Sequence, residues 1–134
     1  MIKVIRIESI FLLLFLGISA IAGSLPLIID PSGNMIGMPL WLLEHSPFKS
    51  FLIPGVILLI FNGVSSLIIF ILVLRKSTRT PMLITYQGVV LVIWISVQIL
   101  MIRGTHILHL IYGLLGMVLV LSGMYLYNRV RKIM

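Results

Sequence analysis

The chain is 134 residues long, 60% hydrophobic and 10% charged, with a mean hydropathy of +1.25. A soluble domain carries about 25% charged residues, so this composition lacks the polar surface to cover a water-soluble core. It has no cysteine, which excludes disulfides, thiolate nucleophiles, zinc–thiolate sites and quinone–thiol relay chemistry; its formal charge of +7 raises nucleic acid as a partner until the cations are located.

The first apolar run, Ile10–Ile29, predicts a helix over about 5–29. A basic start (Lys3, Arg6) and a small-residue patch (Ala20, Ala22, Gly23, Ser24) resemble a secretory signal. Its apolar core exceeds the about 7–15 residues of a signal peptide, and the chain starts at Met1, so the expectation is a retained helix. Glu8 falls near the inner interface, where it is expected to pair with Arg6, Arg75 or Arg131 as an anchor rather than a proton relay. Ser19-x-x-x-Gly23 and Ala20-x-x-x-Ser24 mark close helix packing, within the monomer or in a dimer.

Residues 30–50 form the long outer connection, and the stretch Ile28–Gly55 holds four of the six prolines and two of the three acids. Asp30-Pro31-Ser32-Gly33 matches a type I turn: Asp bonds the backbone, Pro presets φ and Gly closes. Pro39 opens a short helix through PLWLLE, with Leu40, Trp41 and Leu43 dipping into the interface and Glu44 and His45 in water. Ser46-Pro47 is a second helix-start signal, and Pro54-Gly55 lies just inside the second helix. The segment reads as a structured cap that seals the outer face, or as a lid over a ligand.

The second run predicts a helix over 51–74 carrying Asn62, Ser65 and Ser66. RKSTRTP follows, with Pro81 in the first turn of a third helix over 81–102 that carries Tyr86, Gln87, Ser96 and Gln98. These polar side chains are expected to face the bundle and bond across helices; the alternative is a polar path or head-group pocket. RGTH leads into a fourth helix over 106–128, lined by Gly113, Gly116 and Gly123. Each run has the about 20 residues needed to cross about 30 Å of hydrocarbon, and open strands would leave unpaired backbone in lipid. Short second and third connections place neighbouring helices antiparallel. The expected fold is therefore a single all-α membrane domain, an up-down-up-down four-helix bundle with a structured outer loop between helices 1 and 2.

Lys3, Arg6, Arg75, Lys76, Arg79, Arg129, Arg131 and Lys132 lie at one end of such a bundle; only Lys49 and Arg103 lie at the other. This places both termini in the cytoplasm and directs the cations to lipid head groups rather than nucleic acid. His45, His106 and His109 fall on the outer side, where with Glu44 they form at best a weak metal or haem set. No Ser/His/Asp set, phosphate-cradling loop or fixed carboxylate pair is present, and no Asp or Lys sits at mid-membrane to couple ions.

IIDPSGNMIGMPLWLLEHSPFKSFLIPG, with VIWISVQILMI and LIYGLLGM further on, resembles a set of uncharacterised prokaryotic four-helix integral membrane proteins. Their outer segment reads as a DPSG turn, a GMP or GLP step, an SPF step and a FLIPG start to helix 2. The resemblance spans about Gly23 to Gly123 and implies topology, with no established activity. It carries over Asp30, Pro31, Ser32, Gly33, Gly37, Pro39, Pro47, Phe48, Pro54, Gly55, Trp94, Gln98 and Tyr112. His106 and His109 depart from the family's small polar residue and glutamine, which counts against metal or haem.

The resulting expectation is a non-enzymatic membrane protein without cofactor or metal, an accessory or interaction subunit in the cell membrane. Its expected partners are membrane lipids, another membrane protein or a second copy of the chain. The alternative is a small-molecule or lipid-binding transport component with a pocket under the cap, lined by Trp94, Gln98, His106, His109 and Tyr112.

Overall fold

The computed structural model describes residues 2–33, 47–76, 78–102 and 107–133. The expectations placed on Gly37, Pro39, Trp41, Glu44, His45, Ser46, Arg103 and His106 lie outside the described residues. Every regular element described is helical: α1 (Ile2–Ile29), α2 (Leu52–Leu74), α3 (Thr80–Ile102) and α4 (Ile107–Ile133). Within α2, Leu52–Ile57 and Ser65–Leu74 are α-helical and Leu58–Val64 is a π-helix. All four helices are long and apolar enough to cross a membrane.

Two boundaries differ from the sequence reading. α1 begins at Ile2, so Lys3 and Arg6 sit on its first turns. α4 runs on to Ile133, past the end of its apolar run, because its last turns are rich in basic residues that suit the partial negative charge of a helix C-terminus.

Each helix buries one stripe. On α1 the buried positions are Ser9, Leu13, Leu16, Gly17, Ala20, Ser24 and Leu27, spaced three or four apart as one helix face requires. Leu13, Leu16, Ile69, Val73, Ile84, Leu91, Leu115, Leu119 and Leu126 form the core where the four stripes meet. The opposite faces are also apolar, with Phe11, Ile29, Ile93, Leu100, Leu110 and Leu121 exposed. A surface so apolar is untenable in water, where exposed patches beyond a few hundred Å² signal a covering phase or partner. Together with the helix lengths it fits a multi-pass membrane protein.

α3 and α4 form the most extensive pair; α1 packs on α2 and α4, and α2 on α3. The start of α1 lies beside the end of α2, where Arg6 Nη2 donates to the Val73 carbonyl at 2.8 Å. That carbonyl lies at the last turn of the helix, where it also accepts from the Lys76 N–H at 3.0 Å, so the arginine takes its second lone pair. Small residues set several close approaches between helices. A Cβ on Gly17 would stand 2.6 Å from Leu67 Cδ2, and one on Gly88 would stand 2.7 Å from the Gly116 carbonyl oxygen. The first approach, at Gly17, is not among the small-residue pairs singled out in the sequence. Of those, Ala20 and Ser24 are buried, whereas Gly23 is exposed.

At the far end of α1, the Gly33 N–H donates to the Asp30 carbonyl at 3.0 Å and Ser32 Oγ donates to Asp30 Oδ1 at 2.6 Å. Gly33 has φ 81°, a left-handed conformation that glycine adopts without a Cβ penalty. The Phe51 N–H donates to the Pro31 carbonyl at 2.8 Å, which ties this turn to the start of α2. Pro54 and Gly55 are buried against α1, while Pro47 is exposed at a bend.

Candidate functional site: a buried polar clasp and an intramembrane groove

The π-helix changes the hydrogen-bond register of α2. The Ser65 N–H bonds to the Ile60 carbonyl, five residues back. When the helix returns to a four-residue step, the next carbonyl, that of Phe61, is passed over. An unpaired carbonyl in hydrocarbon costs several kcal/mol, about what an isolated polar group loses on leaving water. Gln87 on α3 supplies the missing donor: its Nε2 gives a hydrogen bond to the Phe61 carbonyl at 3.0 Å. Its Oε1 accepts one from Ser65 Oγ at 2.9 Å. Gln87 is fully buried, so the clasp is shielded from both lipid and water.

Beside the clasp, Asn62 and Ser66 are also fully buried on α2, and among the described residues their side-chain atoms have no hydrogen-bond partner. A second polar contact joins α1 to α4. Ser122 Oγ donates to Glu8 Oε2 at 2.9 Å, so among the described side chains the partner of Glu8 is a hydroxyl and neither Arg6 nor Arg75; the Arg131 side chain lies outside the described residues. The physical reason is that Arg6, two positions away, points to the end of α2 and is engaged by Val73.

The groove lies between α3 and α4, lined by Val92, Ile95, Ile99, His109, Gly113 and Met117, with a volume of about 640 Å³. It forms because the two helices touch backbone to backbone at one end and part at the other. At the tight end, a Cβ on Gly116 would meet Val92 Cγ2 at 2.8 Å and the Gly88 carbonyl at 3.1 Å, and one on Gly123 would collide with Thr85. At the open end, a Cβ on Gly113 would find only Ile95 Cγ2, at 4.0 Å.

Of the residues expected to line a pocket under the cap, Trp94, Gln98, His109 and Tyr112 are described. Trp94 belongs to the buried core. Tyr112 packs on that core and stacks on Phe15 of α1, with ring centroids 6.1 Å apart. Gln98 is half-buried on α3, and of the described members of the set His109 lines the groove. Of the polar residues expected to bond across helices, Ser65 and Gln87 do so. Ser96 turns back to the Val92 carbonyl of its own helix, and Tyr86 is half exposed. The groove itself escaped the sequence reading; its signal is the spacing of Gly88, Gly113, Gly116 and Gly123, which becomes readable only once the two helices are paired. Among the described residues no group of three or more His, Cys, Asp or Glu comes together. Comparison with protein-family models, with curated proteins and with solved structures finds no match for the chain.

Proposed function

We propose that the protein is a non-enzymatic, multi-pass protein of the cell membrane, an accessory or interaction subunit that binds within the plane of the bilayer. In this reading it is an up-down-up-down bundle with both termini in the cytoplasm. Support for the topology comes from the Arg6–Val73 and Ser122–Glu8 contacts, each joining the start of α1 to the last part of another helix. Support for the orientation comes from the eight cations gathered at that end. Membership in the uncharacterised four-helix family suggested by the outer-loop motif belongs to the same proposal and adds topology without chemistry.

The observation that carries the binding reading is the groove between α3 and α4. Its volume lies within the range of about 300–1,000 Å³ of small-molecule sites. It opens onto the exposed apolar surface formed by Leu110, Leu114 and Met117. Its α4 wall runs from Ile107 to Met117, about 15 Å at 1.5 Å per residue, which is half the about 30 Å hydrocarbon layer. The occupant is accordingly one acyl chain of a membrane lipid from a single leaflet. This brings the lipid-binding alternative into the interaction reading, with the pocket on the α3–α4 face in place of the underside of the cap.

Native mass spectrometry of the protein released from lipid nanodiscs tests the reading. The wild type is expected to retain one lipid per chain, and Gly113→Phe, which fills the open end of the groove, is expected to lose it with its melting temperature preserved. Equal lipid retention by both proteins contradicts the acyl-chain reading, as does a second protein chain in place of the lipid.

A further inference from the structure

We infer that Asn62 and Ser66 hold an internal water molecule at the middle of the bundle. The inference is independent of the groove, which lies between the other two helices.

The two residues are four apart on α2 and share one face. Asn62 is 1% exposed and Ser66 0%. Asn62 Oδ1, Asn62 Nδ2 and Ser66 Oγ are all buried without a hydrogen-bond partner among the described residues. Asn62 lies ten residues from Leu52, about 15 Å into the span, so neither aqueous phase reaches it directly.

Other serines in the bundle find a partner, Ser65 and Ser122 across helices and several within their own helix. Ser9 donates to the Ile5 carbonyl at 2.9 Å, Ser24 to Ile21 at 3.1 Å and Ser96 to Val92 at 2.9 Å. Ser66 makes no such bond, although it sits in an equally helical stretch. It follows directly after the π-helix, and its hydroxyl belongs to the face that carries Asn62.

Three polar atoms on one face, two able to accept and two able to donate, match what a buried water requires. Such waters make about three hydrogen bonds, to groups that are otherwise unsatisfied. Water also suits the geometry better than an ion. The site offers no formal charge, and an uncompensated ion at mid-membrane is far costlier than a neutral molecule. The water would complete what Gln87 begins: Gln87 satisfies the carbonyl that the π-helix passes over, and the water satisfies the side chains on the neighbouring face.

Nuclear magnetic resonance of the full chain in lipid nanodiscs tests this without altering the site. The sequence has three asparagines, Asn34, Asn62 and Asn128. Asn34→Ser with Asn128→Ser leaves Asn62 as the sole side-chain amide under selective ¹⁵N-asparagine labelling. Its amide protons are expected to show a cross-relaxation peak to water of the sign given by a long-lived bound molecule. That peak is expected to weaken by about twofold or more in Ser66→Ala, which removes one of the water's about three partners. An Asn62 amide with cross-peaks to aliphatic protons alone overturns the inference. A water peak indifferent to Ser66→Ala overturns the shared site.

Discussion

Gly113 and Gly116 are three residues apart on one helix and have opposite tolerances. A methyl group at Gly116 meets Val92 Cγ2 at 2.8 Å and the Gly88 carbonyl at 3.1 Å, so both a side chain and the backbone of α3 must shift, whereas one at Gly113 reaches ordinary contact distance of Ile95 and no more. Gly116→Ala is therefore expected to destabilise the protein by about 1–3 kcal/mol, the usual cost of overpacking, while Gly113→Ala leaves stability nearly unchanged. Thermal unfolding of both variants in one detergent decides this; equal melting temperatures would contradict the account of the α3–α4 contact. The same scale shows where the sequence speaks plainly and where it does not. Asp30-Pro31-Ser32-Gly33 carries its turn in its residue types, since Asp, Pro and Gly each answer a separate backbone demand. A glycine in an apolar run carries no such label, because whether its missing side chain makes room for a helix or for a ligand depends on a partner far away in sequence.

The second helix is the element whose interior departs most from its outline. Its length and its crossing of the apolar layer follow from composition, and the sequence reading places its ends within a residue of the structure. The π-helix at Leu58–Val64 does not follow, because it depends on a donor from another helix standing ready to take the Phe61 carbonyl. Gln87 was identifiable as a buried polar residue, but its partner is a backbone atom, which no side-chain pattern reveals. Gln87→Leu keeps the volume and removes both bonds, leaving the Phe61 carbonyl unpaired in the core. The expected loss is about 1–3 kcal/mol, the cost of stranding a buried acceptor, against about 0.6 kcal/mol for an average interhelical side-chain bond in a membrane. Denaturation in mixed micelles measures it; a loss at the lower figure means that α2 relaxes to a regular α-helix when the glutamine is gone.

For the whole molecule, the membrane reading rests on two layers of apolar side chains, one turned inward and one outward. The inward layer was readable as four runs of sufficient length, and the helices form where those runs lie. Helix pairing was readable only in part: short connections favour neighbours in sequence, but the contact of α1 with α4 through Glu8 and Ser122 joins residues 114 positions apart. The proposed orientation rests on charge alone: in the sequence eight cations fall before the first apolar run, between the second and third or after the fourth, and two in the other connections. Because the chain has no cysteine, single cysteines report position without background. Lys49→Cys lies beyond the turn that follows α1, and Thr78→Cys lies between α2 and α3; both sites are exposed. In intact cells, a membrane-impermeant maleimide is expected to label the cysteine at 49 and to reach the one at 78 only after the membrane is permeabilised. Labelling of both positions from outside would contradict a bilayer crossing by α2, and labelling of 78 alone would invert the orientation.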